Sequence, residues 1–387
     1  MAEEEDVYQR GLQLLSEGRT EEAKESFHAV IAQQPEHAGA WLDLAILQCG
    51  MGMTAEAETL FTEILEKFTP PPAIQDLIGK IRAQGCQRQA FQGISRYQFR
   101  LGRGYDSNAN QGASNPYFSL GVDIPPLELS PEFRATKDNF TQLGLESAHV
   151  LSGRGTLLYT QFQHRRHDQL SHYDLSTLIV GAEQPLQLPG GWDSRWGASL
   201  GATLLGNRRY QEQGGLHFQL TPPWPKRPSG WQLNFVGDWT RVRYPTLTGY
   251  DADITKFLTS LSYRHQETRF MGNLGVVHDF GENRRPGGDK QGWLANLSLR
   301  QPLGERLIGE FSWTRQDWQG EKTYSPGLID SKRNQHTTLW RAALLLPLDA
   351  RQNLVLEYKY LDNQENISIF RYQSRQLMLG WQYEFGD

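Results

Sequence analysis

Residues 377–387 read LMLGWQYEFGD. Leu377, Leu379, Trp381, Tyr383 and Phe385 fall on one side of an extended chain. Met378, Gly380, Gln382 and Glu384 fall on the other. Chain ends ordinarily fray, so a terminal strand this apolar on one face needs a partner and an apolar medium. A soluble sandwich could supply both, and so could a lipid bilayer.

Composition does not decide alone. Mean hydropathy is −0.59, and no run approaches the ~18 apolar residues of a membrane helix. In a membrane barrel only alternate residues face lipid, so the mean stays low. Aromatic residues make up 11%, with 11 Trp and 15 Tyr, and there are 38 Gly; this suits an aromatic-girdled barrel. Net charge is −5, and nothing in it points to nucleic acid. The charge is uneven: residues 1–90 hold 15 acidic and 7 basic side chains, net −8, and the remainder carries +3. Cys49 and Cys86 could pair in an oxidising compartment or stand as two unrelated buried thiols. Their spacing does not suit zinc. The chain opens MAEEED, without a basic-then-apolar start. An outer-membrane location therefore requires that an export signal has been removed.

Residues 1–90 have a helical period and repeat. YQRGLQLLSEGRTEEAKESFHAVIAQQP, from Tyr8, is similar in pattern to WLDLAILQCGMGMTAEAETLFTEILEKF, from Trp41. Gly11 matches Ala45, Gly18 matches Gly52, Ala23 matches Ala57 and Phe27 matches Phe61, each 34 residues on. That period, with small residues at the helix crossings and Pro35 closing the first unit, is that of tetratricopeptide repeats. A further helix is expected from about Pro72 to Gln84, with Pro70, Pro71 and Pro72 breaking the helix before it. In such repeats Tyr8, Leu12 and Leu42 sit where substrate-binding groove residues commonly lie, or where they pack against neighbouring helices.

From about Ser95 the period changes to 2. Tyr97, Phe99 and Leu101 alternate with polar neighbours, as do Leu354, Leu356, Tyr358 and Tyr360. About fourteen strands are expected, starting near 94, 138, 154, 172, 192, 209, 230, 250, 267, 289, 304, 333, 350 and 370. One set of connections is tight or proline-rich (SGRG, PLQLPGG, PPWPKRPSG, HQET, PLGE, PLDA). The other holds long polar stretches at 105–137, 282–290 and 319–334. Short turns on one rim and long loops on the other is the outer-membrane arrangement. The fold class is thus α + β and multidomain: repeats over 1–90, expected in the periplasm, then a transmembrane antiparallel barrel over 91–387. A closed barrel pairs its last strand with its first. The final strand, with Gly380, Tyr383 and Phe385, resembles the C-terminal assembly signal of bacterial outer-membrane barrels, although Gly386 and Asp387 follow the aromatic.

No catalytic constellation emerges, and neither enzyme activity nor a cofactor is expected. HRRHDQLSH, residues 164–172, gathers His164, His167, Asp168 and His172 in what reads as a polar surface loop, whose Arg165 and Arg166 suit phosphate. YDSNAN, residues 105–110, puts Asp106, Asn108 and Asn110 at alternate positions but lacks the Gly and Glu of a calcium loop. No G-x-S-x-G elbow precedes a helix. The functional surface is the inward wall: Arg100, Lys256, Arg264, Arg300, Arg306, Glu310, Glu357, Lys359, Gln382 and Glu384 should face the lumen, subject to register. The 105–137 loop is long enough to plug it.

Three segments resemble the surface lipoprotein assembly modifier family, called Slam. FTPPPAIQDLIGKI (68–81) is similar to its proline-led helix after the last repeat. GYDSNAN (104–110) is similar to its first strand exit. DNQENISIFRYQSRQLMLGWQYEF (362–385), with Tyr372 and Arg375, is similar to its closing strands. The repeat region here is brief, about two and a half units. The resemblance implies delivery of a lipoprotein or soluble secreted protein across the outer membrane, with the periplasmic repeats receiving the substrate or its chaperone. Alternatives with similar architecture are an exopolysaccharide export porin and a surface adhesin. If substrate leaves sideways, the seam between first and last strands should be the weakest.

Overall fold

The computed structural model describes all residues except 1, 87–93, 119–124, 152–154, 225–227, 283–284, 305 and 387. The chain divides into two compact units, Met1–Ser95 with His149–Leu157, and Arg96–Ala148 with Leu158–Asp387. The boundary expected at 90/91 lies outside the described residues.

The helical unit contains α1 (Ala2–Ser16), α2 (Thr20–Gln33), α3 (Ala38–Gly50), α4 (Thr54–Lys67) and α5 (Pro72–Gln84). The 34-residue step is visible in its packing. Ala23, Ala57, Phe27 and Phe61 are all fully buried. Phe27 lies directly against Gly11, where a Cβ would come within 2.7 Å of its ring. Gly18 and Gly52 follow α1 and α3 with φ of 73° and 78°, the left-handed turn that glycine adopts without strain. Two cores result. Leu14, Ala23, Phe27, Leu44 and Leu47 form one; Ala45, Cys49, Ala57, Phe61, Ile64 and Ile78 form the other. α5 starts with a proline in its first turn and turns Ile74, Ile78 and Ile81 onto the second core. Cys49 and Cys86 are joined in a disulfide. It ties the end of α3 to the chain beyond α5 across 37 positions. In the chain-entropy model a loop of that size stabilises the folded state by about 4 kcal/mol.

The second unit is a closed antiparallel barrel of fourteen strands. After β1 (Ser95–Asp106) the long loop carries a two-residue hairpin, β2 (Tyr117–Phe118) and β3 (Leu127–Glu128). The barrel continues with β4 (Asp138–Val150), β5 (Leu157–His167), β6 (Leu175–Leu188), β7 (Trp192–Leu205), β8 (Arg208–Thr221) and β9 (Trp231–Arg243). It ends with β10 (Ala252–His265), β11 (Thr268–Gly281), β12 (Lys290–Pro302), β13 (Ile308–Ser325), β14 (Ile329–Pro347), β15 (Gln352–Glu365) and β16 (Tyr372–Gly386). The strands pair in sequence order, and β16 returns to β1. That seam runs in unbroken register from Arg96 opposite Gly386 to Asp106 opposite Gln376. The terminal strand is therefore a full wall member, with no sheet edge left open.

Burial is inverted relative to a soluble domain. Leu200 is 67% exposed and Leu379 is 60% exposed, whereas Glu365 and Ser374 are each 2% exposed. Apolar residues outside and polar ones inside, on a closed sheet, is the arrangement a bilayer demands. The barrel is of the outer-membrane type.

The largest departure from expectation is at 319–334. These residues do not form a loop. β13 and β14 run on for 18 and 19 residues, past register shifts between Gln319 and Ser325. Both faces of this extension are polar, so it has no apolar alternation to reveal it. β7 and β8 are joined on the same rim by two residues only, Gly206 and Asn207, both with positive φ, as a tight hairpin turn requires.

Candidate functional site: the lumen wall

The period-2 alternation that turns Leu299, Phe311, Trp340 and Leu356 outward turns their neighbours inward. On β12 to β15 those neighbours form a charge ladder. Arg300 donates to Glu310 at 2.7 Å. Glu310 accepts a second bond, from Arg341, at 3.0 Å. Arg341 also donates to Glu357 at 2.6 Å, and Lys359 lies 2.8 Å from the other Glu357 oxygen. The sequence of charges across four strands is plus, minus, plus, minus, plus. Glu357 is only 8% exposed, and a charge that withdrawn from water persists where partners hold it.

A second network closes the seam at the long-loop end. Asp106 is 3% exposed. It accepts from Ser374 at 2.7 Å, Gln376 at 2.8 Å and the Asn108 amide at 2.9 Å. Arg165 of β5 lies over the Phe140 ring at 4.1 Å and donates to Gln142 and Gln376. Its guanidinium comes within 3.7 Å of Asp106. Phe140 has room because position 104 is glycine; a Cβ there would meet the ring at 2.5 Å. Toward the other end of the seam Tyr97 stacks on Phe385 at 4.9 Å, Phe99 meets Trp381 at 5.7 Å, and Gln98 donates to Glu384 at 2.8 Å. The first and last strands are thus joined by side chains as well as backbone.

Near the long-loop rim, Arg333 donates to Glu365 at 3.0 Å and stands 4.3 Å from the Phe370 ring. Tyr324 packs on Phe370 at 5.2 Å and Tyr210 on Tyr244 at 5.4 Å. Arg285 pairs with Asp279.

Of the residues expected on the lumen wall, Arg100 is on the inward face, 4.0 Å from Glu146. Lys256 is inward and in register with Asp238; Arg264 is inward and opposite Arg269. Arg300, Glu310, Glu357 and Lys359 belong to the ladder, and Gln382 donates to Glu384. Arg306 is a correction. It stands exposed in the turn before β13, which begins only at Ile308; the alternation of residue types runs two residues beyond the strand itself. In the terminal strand Gly380 faces Gly102 across the seam, and Tyr383 stacks on Phe385 at 5.4 Å.

In the helical unit Tyr8 donates to Asp43 at 2.7 Å, with its ring 4.4 Å from His37 and 5.9 Å from Phe27. Leu12 packs on the Phe27 core and Leu42 on the Phe61 core. All three make packing contacts and are half-buried, so each keeps part of its surface open.

The HRRHDQLSH segment is also redistributed. Its first four residues, His164 to His167, are strand rather than loop, so their side chains separate by face. Arg165 turns to the lumen and His164 meets Ser176 at 2.8 Å. His167 is buried 3.5 Å from Asp174, and Asp168 pairs with Arg103. Asn108 and Asn110 fold the long loop by bonding to Gly112, Gln373 and Arg134. The described part of that loop is fastened along the rim at β16, with Ser114 bonded to Arg371 and Gln373.

Arg341, Arg165, Asp106 and Arg269 were missed as lumen residues. Arg341 was findable, since Trp340, Ala342 and Leu344 mark the outward face around it. Arg269 was too, beside Phe270. Asp106 and Arg165 were hidden by readings as strand exit and surface loop.

Residues 14–81 match a tetratricopeptide repeat family model. No curated protein matches the chain. Among solved structures, the outer-membrane channel DcaP of Acinetobacter baumannii is similar at 9% identity and a TM-score of 0.43, over 76% of this chain and 97% of that one. The outer-membrane OmpT of Vibrio cholerae is similar at 10% identity and a TM-score of 0.38, over 76% and 98%. The outer membrane protein Omp33 of Acinetobacter baumannii is similar at 10% identity and a TM-score of 0.35, over 75% and 99%. Likeness at this level assigns no cargo.

Proposed function

We propose that the chain is an outer-membrane translocator that delivers a lipoprotein or secreted protein to the cell surface, as its resemblance to the Slam family implies. The observation that carries this reading is the union of a repeat unit matching a protein-binding class with the first strand of a closed fourteen-strand barrel. Both barrel ends emerge on the short-turn rim, the periplasmic side in outer-membrane barrels. The repeats then stand in the periplasm, where they receive the substrate or a chaperone that carries it. The Cys49–Cys86 disulfide fits that oxidising compartment. The work is transport in contact with outer-membrane lipids, without catalysis and without nucleic acid.

The test uses intact cells. Candidate lipoproteins and secreted proteins encoded beside this chain are expressed with and without it, and surface exposure is read by protease shaving. Exposure should require the chain and its 1–90 segment. Candidates that all stay internal while the barrel assembles normally would defeat the reading. One observation favours polysaccharide export instead: two ring pairs, Tyr210–Tyr244 and Tyr324–Phe370, lie toward the long-loop rim, and aromatic faces suit sugar rings. Secretion of a polysaccharide dependent on this chain would decide for it.

A further inference from the structure

Most charges on the lumen wall are paired, and one row holds three cations for one shared acid. Arg264 on β10 stands directly opposite Arg269 on β11. Arg269 stands directly opposite Arg300 on β12. All three point inward, and they lie at the short-turn end, beside the two-residue turn at Gln266 and Glu267. Arg300 has Glu310, but Glu310 is shared with Arg341. Among the described residues Arg264 and Arg269 make no ion pair. Arg264, Arg300, Glu384 and Arg96 act electrostatically on Arg269. The single acid among them, Glu384, is held by Gln98 and Gln382.

Like charges directly opposite across strands destabilise a sheet. In the ladder Arg341 also stands directly opposite Lys359, but Glu357 is bonded to both; no acid bridges Arg264 and Arg269 in that way among the described residues. A guanidinium cannot lose its charge to relieve the repulsion. Low-dielectric walls focus the field of an unneutralised row into the passage, and rings of arginine or lysine give pores their preference for anions.

We propose that Arg264, Arg269 and Arg300 form an anion filter at the short-turn mouth of the lumen, taking small solutes that carry carboxylate or phosphate and repelling cations. This conduction does not depend on protein delivery and goes beyond it.

The full chain is inserted in a planar bilayer with unequal KCl on the two sides, where both ions have similar mobility. The reversal potential should carry the sign of chloride preference. Arg264→Gln with Arg269→Gln should lower the chloride-to-potassium ratio several-fold. Arg264→Lys with Arg269→Lys should keep it. Arg209→Gln, an exposed position on the other rim, should leave it unchanged. Tripolyphosphate should block the wild-type current at concentrations at least tenfold lower than for the Gln pair. The Gln pair should also melt at a higher temperature than wild type, since a repulsion is removed; a purely structural role for the arginines would lower it. A wild-type barrel that prefers potassium, shows no preference or passes no current would overturn the filter. So would a ratio that the Gln pair leaves unchanged.

Discussion

The two halves of this chain bury opposite things. In the helical unit Phe27 and Phe61 are fully enclosed, and Glu25, Glu56 and Glu63 look outward. In the barrel Leu200, Leu274 and Leu379 are each at least 60% exposed, while Asp106, Asn363 and Glu365 are sealed away. Side-chain chemistry is the same in both; the surroundings differ. Apolar surface is driven from water, not toward a protein centre, and around the barrel the outside supplies the apolar phase. The helical unit must therefore fit its core tightly, whereas the barrel's outer leucines need only match lipid.

The strongest way to break this contrast is Phe61→Ala. It should destabilise the helical unit by about 3–5 kcal/mol through lost burial and a cavity, read from urea unfolding by the helical dichroism signal. Leu379→Ala, an equally apolar truncation on the barrel, should cost far less, because lipid tails fill the space. Equal losses would sink the comparison. Replacing Cys49 and Cys86 by serine should remove about 2–4 kcal/mol from the helical unit while the folded barrel keeps its gel mobility. A barrel that melts earlier would show the units to be energetically joined. Leu200→Arg sharpens the other side. At a water-exposed site it would be nearly neutral, but here it should cost about 2–4 kcal/mol if the position sits near the bilayer midplane, measured by reversible refolding into vesicles.

The smallest effect concerns Tyr8. Burial, and then the hydrogen bond to Asp43, hold its phenol well above its ordinary value. A raised folded-state pKa contributes stability below the unfolded value of about 10, lost as pH rises through the folded one. Tyr8→Phe should cost about 1 kcal/mol at neutral pH, and its gap to wild type should close above pH 10. A gap independent of alkaline pH would mean the bond to Asp43 is unimportant.

How much could be read beforehand follows from the same contrast. Every strand start fell within four residues of its observed position, because a wall with lipid on one side and polar lumen on the other must alternate. Where water lies on both sides, as in the outer parts of β13 and β14, the alternation vanishes and a hairpin reads as a loop. Arg306 failed for a related reason, since a turn residue can continue a pattern without continuing the strand. The 34-residue step was legible because Gly18, Gly52, Phe27 and Phe61 each answer a steric demand that recurs. The links Arg341–Glu357 and Arg165–Gln376 were not, because diagonal partners and partners across the closing seam depend on register and closure. The disulfide stayed open for the same reason: 37 positions of sequence do not say how α5 folds back.

The seam has a consequence in time. Gln98 bonds to Glu384, 286 positions later, so the first strand waits for nearly the whole chain before its outer edge is satisfied. Until then each intermediate carries a raw edge ready to pair with a neighbour. Contacts of such long range close slowly. The rings at Tyr383 and Phe385 sit on the strand that arrives last, and closure by that strand is the step after which the chain can no longer join itself to another copy.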